Sequence, residues 1–284
     1  WLTTRCEFPG RKFFTWALIL PLAVPAYVAA YAWLDLSQAG GPLDRISWGV
    51  FPTIRGTRGS GLMFALVLYP YVYLLARNAF TGQSADAYDA ARTLGASAFG
   101  AFWRTSLPMA RPAIAAGMAL VVMEALADYG TVAHLGSPTL SIGLIRAWSG
   151  AGSLLDAARL SLILVVFALV VFGLERHGRR RMQVQTSSGR QRPARRFQLN
   201  AFQAALATLA AFMALFLSMI LPLGRLAWRA LREPLANSLA QASFNSLTVA
   251  GGAAIIATIV GLSTAYALRR KSVLGTAAAR LAGV

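Results

Sequence analysis

Apolar residues fall in long runs along this chain, and polar residues gather between them. Crossing a bilayer as a helix takes roughly 17–25 apolar residues. Six stretches approach that length, at about 13–34, 61–76, 113–135, 160–174, 199–222 and 244–268. The first contains no charge but carries Pro21 and Pro25, which predict kinks, tolerable where neighbouring helices satisfy the released carbonyls. The second is slightly short and has Tyr69, Tyr71 and Tyr73 near its end, as an aromatic belt would place them. Pro112 suits the first helical position of the third. The pattern predicts an all-α, polytopic transmembrane helical bundle of about six spans.

Composition agrees, with 57% hydrophobic and 13% charged residues. A soluble domain would hold about a quarter charged residues. The net charge of +17 could suggest nucleic acid. The basic residues instead flank the apolar runs and form no single face, so nucleic acid is not expected as a partner. Placing Arg5, Arg11 and Lys12 in the cytoplasm and alternating puts Arg77, Arg92, Arg104 and Arg111 inside as well. The dense cluster from Arg176 to Arg196 and the group Arg269, Arg270, Lys271 and Arg280 follow them. Arg45, Arg55, Arg58, Arg146, Arg159, Arg225, Arg229 and Arg232 remain outside, so most of the 27 basic residues are cytoplasmic.

Residues 35–60 form an outer loop rich in Gly and Pro. Within them Gly56-Thr57-Arg58-Gly59-Ser60, continuing to Gly61, lacks the Gly-Lys-Ser/Thr ending of a nucleotide loop and reads as an outside turn. Residues 176–198 read as a basic cytoplasmic linker between two membrane halves, 1–175 and 199–284. Its arginines either set topology or contact anionic lipid. The single Cys6 excludes an internal disulfide and a cysteine metal cluster. The chain begins at Trp1 and stops soon after an apolar run, and it reads as part of a longer protein.

One polar loop has chemistry of its own. Asp89-Ala90-Ala91 is followed by three residues and Gly95, then by nine residues, Thr105, Ser106 and Leu107-Pro108. Ala90 and Ala91 offer a small face for close approach. Gly95 permits a sharp change of direction. Pro108 is expected to end the short helix before the next span. The spacing throughout resembles the cytoplasmic coupling loop, here 86–108, of ABC-importer permeases. Asp89 stands where that family has Glu, keeping a charge that suits a helix N-terminus, and Thr105 stands where it has Ile. Further stretches, Pro21-Leu22-Ala23-Val24-Pro25, Tyr69-Pro70-Tyr71 and Glu124-Ala125-Leu126-Ala127-Asp128-Tyr129-Gly130, resemble the fused two-half permeases of ferric-iron importers. Asn245-Ser246-Leu247-Thr248, with Gly261 and Ala265-Tyr266-Ala267, resembles the opening core span of a second half.

That resemblance implies a type I (MetI-like) importer permease in the inner membrane, multi-pass and without its own ATP site or bound cofactor. A separate cytoplasmic ABC ATPase, two copies of it, would consume ATP and act through Asp89, Ala90, Ala91, Gly95, Leu107 and Pro108. A periplasmic or lipoprotein binding protein would deliver substrate, with ferric iron expected and thiamine, polyamine or sulfate as alternatives. An ion-coupled secondary transporter is a further reading, with Glu124 and Asp128 as carriers.

Glu124 and Asp128 lie four apart, on one face of a helical third span. A charge at the membrane centre costs about 2.5–3.5 kcal/mol on insertion scales, so such residues face a water-filled path or a polar partner. They either line the translocation path or fix the bundle by bonding to neighbours. No dedicated metal site is assigned. His134 reads as interfacial, His177 as solvated in the linker, and Trp148 and Trp228 as interface markers.

Overall fold

Proline placement decides how the first apolar run is built. In the computed structural model, α1 (Leu2–Arg5) and a two-residue strand β1 (Cys6–Glu7) lead into α2 (Arg11–Ala17). A 3₁₀ turn holding Pro21 follows over Leu20–Ala23, and α3 (Ala26–Ser37) begins just after Pro25. Pro25 forces Val24 into extended backbone and leaves α3 to start afresh. The expected kinks are therefore a break, with the helical pieces bent by 92°. The structure describes residues 1–83, 85–150, 153–180, 196–232 and 239–269, with backbone alone for 85–87, 98, 174–180 and 267–269.

After the short α4 (Pro42–Ile46), α5 runs from Gly56 to Gly82 through Pro70. The second span is thus longer than its apolar window, and Gly56–Gly61 is its first turns, not an outside turn. Arg58 and Arg77 truncate the apolar count, yet the helix continues through both, since long basic side chains can reach the polar boundary. α6 (Ala85–Thr93) and α7 (Ala98–Ala101) occupy the following loop. A π-turn at Phe102–Ser106 then leads directly into α8 (Leu107–Ala127).

The third span consequently starts earlier than 113 and ends at Ala127. Pro108 sits in the first turn of α8 and does not terminate a helix; Pro112 lies in its interior, not at a first position. Asp128 leaves helical geometry at ψ 129°, and α9 (Gly130–Leu135) is a separate short helix. After α10 (Leu140–Ser149), α11 (Leu154–Arg180) extends past the expected end at 174 into the arginine cluster. Residues 181–195 of the expected linker lie outside the described residues.

A strand β2 (Phe197–Gln198) pairs in parallel with β1, Cys6 opposite Phe197. Asn200 caps α12 (Ala201–Leu215) by accepting from the Gln203 amide at 2.8 Å. α12 continues through a π-turn at Phe216–Ile220 into α13 (Leu221–Ala230). Among the described residues five helices are long and apolar enough to cross a membrane, or up to six if the bent pair is one span. The mostly helical, polytopic architecture expected from the sequence is what the structure shows.

Two units result, 1–227 and 228–284. In the first, one core gathers Trp33, Leu36, Ile54, Met63 and Leu135, and another packs Cys6, Phe8, Phe14 and Leu18 against Ala207 and Ala211. The α5–α8 crossing is very close, since a Cβ on Gly117 would stand 2.6 Å from the Val72 Cα. The second unit's α14 (Leu239–Arg269) is apolar around its circumference, and its described side chains are exposed apart from the half-buried Thr264. A helix of that character requires lipid or other helices around it.

Contacts sort the loop ends of the first unit into two groups. Asp35 pairs with Arg225 at 2.6 Å, Ser60 hydrogen-bonds Ser137 at 2.5 Å, and the Tyr31 ring lies tilted against His134 at 5.3 Å. At the other end Arg5 reaches Gln83, Glu7 pairs with Arg196, and Trp1 packs on Phe102. These are the groupings that alternating spans require. The bent first pair joins one group to the other, and so acts as a single crossing.

Candidate functional site

The loop between α5 and α8 folds as a helix held at its base. α6 ends in a Schellman motif: the Gly95 amide donates to the Arg92 carbonyl at 3.1 Å and the Ala96 amide to Ala91 at 3.0 Å. Gly95 takes φ +87°, the left-handed value that closure demands, and a Cβ there would meet nothing within 4 Å. Glycine is therefore required by backbone conformation, with open space in front of it. Arg92 Nη1 donates to the Ala96 carbonyl at 2.7 Å, and Ser97 caps the next turn by accepting from the Gly100 amide at 3.0 Å.

Gln83, just past α5, donates from Nε2 to the Ser106 carbonyl at 2.9 Å, closing the loop immediately before Leu107. The buried Arg5 donates to the Gln83 carbonyl at 3.1 Å. Burial lowers the pKa of the Arg5 guanidinium, while nearby Asp89 and Tyr88 oppose that shift. Asp89 thus stands in the middle of α6 and acts on Arg5; it is not the N-terminal charge expected from the sequence. Tyr88, also buried, places its ring 5.0 Å from Phe197.

The expected residues are brought to one loop. Asp89 and Ala90 are exposed, Ala91, Leu107 and Pro108 are half-buried, and Gly95 is exposed. Sequence reasoning missed three apolar side chains on the same loop. Leu94 is 88% exposed, Phe99 71% and Trp103 51%. Phe99 and Trp103 are four residues apart and pack edge to face at 5.9 Å. The signal was available: large apolar residues inside a polar loop, on helical spacing.

The acids lie elsewhere, at the far end of α8. Glu124 and Asp128 line one cavity of about 200 Å³ with Tyr27, Phe64 and Tyr71. The Asp128 amide still donates to the Glu124 carbonyl at 3.0 Å, so the two side chains leave one face of the last turn of α8, as their spacing predicts, and the helix ends at Asp128 itself. Asp128 accepts from the Thr131 amide at 2.8 Å and from its hydroxyl at 3.0 Å, fastening the start of α9. Glu124 is exposed toward the cavity. Among the described residues no three His, Cys, Asp or Glu side chains converge as a metal site. His134 is exposed on α9, and Trp148 and Trp228 are exposed as interface residues would be. The side chain of His177 lies outside the described residues.

Residues 4–184 match the family described as binding-protein-dependent transport system inner membrane component. The chain is 29% identical over 181 residues to the molybdenum transport system permease protein ModB of Escherichia coli, covering 60% of this chain and 78% of that protein. It is 27% identical over 173 residues to the Fe(3+)-transport system permease protein FbpB 2 of Haemophilus influenzae, covering 61% of this chain and 31% of that one. To the probable sulfate transport system permease protein cysT of Prototheca wickerhamii it is 32% identical over 138 residues, covering 48% and 54%. The family match spans more than half of the 284 residues and meets a structure of five or more membrane-crossing helices. The chain belongs to the inner-membrane components of binding-protein-dependent transport systems, as a permease of the ABC importers.

Proposed function

We propose that α6 and α7 form the docking element through which a cytoplasmic ABC ATPase moves the spans. The observation that carries this is the closed-base loop. It is capped at Gly95, closed by Gln83, small at Ala90 and Ala91, and shows Leu94, Phe99 and Trp103 to solvent. Exposed apolar side chains around a small-residue helix fit a partner groove. Leu107 and Pro108 pass displacement directly into α8, because no loop intervenes. Two ATPase copies, one for each half, and an external binding protein complete the importer. Alternating access would follow from rocking of the halves.

The ion moved is, on this reading, ferric iron. Glu124 faces a cavity whose second carboxylate is Asp128, and hard oxygen ligands suit such a cation. A tetrahedral oxyanion is the second reading, favoured by relatives named for molybdenum and sulfate transport at comparable identity.

Reconstitution with the ATPase tests the docking element. Gly95→Val and Trp103→Ala should leave membrane insertion unchanged and lower substrate-stimulated ATPase activity at least about tenfold, a loss of about 1.4 kcal/mol of coupling. Native stimulation in both variants would defeat the assignment. Uptake of radioactive iron, molybdate and sulfate by cells carrying or lacking the gene separates the cargo readings. Glu124→Gln should reduce uptake without reducing expression; normal uptake by poorly expressed protein would make Glu124 a packing residue.

A further inference from the structure

A second cavity, of about 230 Å³, lies at the end of the molecule that carries α6. Arg5, Arg11, Arg77 and Arg196 line it together with threonine side chains, and no carboxylate lines it among the described residues. Glu7 stands beside it and is shared between two of the arginines, at 3.0 Å from Arg11 Nε and 3.1 Å from Arg196 Nη1. Asp89 also acts electrostatically on Arg5. Two carboxylates therefore offset four guanidinium groups. Arg77 Nε is buried and finds no hydrogen-bond partner. A buried donor left without a partner costs about 1–3 kcal/mol, so its presence beside a positive cavity points to a ligand. Water alone takes about 30 Å³ per molecule, and the space is several times larger.

We propose that this cavity binds a phosphate-class oxyanion. Planar guanidinium forks match phosphate oxygens in pairs, and the Thr3 hydroxyl, which accepts from the Tyr73 hydroxyl at 3.2 Å, keeps its own proton to donate. Depth indicates where such a group would come from. Arg11 stands just before an apolar run and Arg77 just after one, which is where lipid headgroups lie. The phosphate of an anionic lipid and inorganic phosphate from solution share the chemistry. In either case the ligand would bridge α2, the end of α5 and the segment entering β2, all beside the base of the α6 loop.

The full-length permease in phosphatidylcholine nanodiscs would be treated with phenylglyoxal, and arginine modification read by mass spectrometry. Phosphatidylglycerol is added to the bilayer in one arm and inorganic phosphate to the buffer in the other. The expected result is protection of Arg11 and Arg77 by about tenfold in at least one arm, with weaker protection of Arg146 on the opposite side. Arg77→Gln should weaken retention of phosphatidylglycerol in native mass spectra by about tenfold, one charge-assisted hydrogen bond's worth, and Arg77→Lys should restore part of it. Protection by lipid alone assigns a headgroup, and protection by inorganic phosphate alone assigns a soluble anion. Failure of both to protect overturns the proposal, and so, where the lipid protects, does equal retention of phosphatidylglycerol by Arg77→Gln and the unaltered protein. Should Arg77→Gln fail to fold, protection in the unaltered chain decides.

Discussion

Asp35 is buried, and its carboxylate meets Arg225 Nε at 2.6 Å across 190 positions of sequence. Removing one member of such a pair leaves a desolvated charge and costs about 3 kcal/mol, whereas removing both costs much less. Arg225→Met should therefore lower the thermal midpoint sharply, and Asp35→Asn combined with Arg225→Met should recover most of it. Equal loss in the single and double variants would mean that packing, not charge, is at stake. Neither residue stood out in the sequence, where both read as outer-face charges. Their assignment to the same side was legible from charge placement; their contact was not, because it depends on how α3 and α13 pack. Gly95 was better marked. A glycine three residues past Ala90-Ala91-Arg92 needs only local geometry to be read as a sharp change of direction, and its left-handed backbone makes that turn, ending α6 where the sequence points to Pro108. Burial raises the Cys6 thiol to about 11, so it stays protonated at neutral pH, where maleimide should modify it only after unfolding.

At the scale of elements, hydropathy located each crossing but missed how each ends. Apolar windows stop at Arg58, Arg77 and Glu175, while α5 and α11 run through them. Helix bounds follow hydrogen bonding and caps, and hydropathy records neither. The break at Asp128 escaped for the same reason: its carboxylate satisfies the Thr131 amide, which no apolar count reveals. The α5–α8 crossing depends on one missing side chain. Gly117 brings the two backbones so close that Gly117→Val must push α8 away from Tyr71 and Val72. Overpacking of this kind costs about 1–3 kcal/mol or more. Thermal unfolding in detergent should show it as a fall of several degrees; an unchanged midpoint would mean that α8 can shift at this crossing without cost.

At the scale of the whole molecule, the family and the loop chemistry were readable because they rest on spacing within one short segment. The cavities were not, since Arg5, Arg77 and Arg196 come together only after three distant segments fold. The pairing of Cys6 with Phe197 and Glu7 with Gln198 belongs to this class. It clips the chain's opening residues to the far side of the stretch 181–195. Proteolytic nicking inside that stretch should therefore leave two polypeptides that co-purify through gel filtration under mild detergent, held by β1 and β2, by Ala207 and Ala211 packed on Phe8 and Phe14, and by the Asp35–Arg225 bond; their separation on nicking alone would refute this. On that outcome continuity of the backbone there is dispensable for cohesion, much as a stapled page stays bound after its fold is slit.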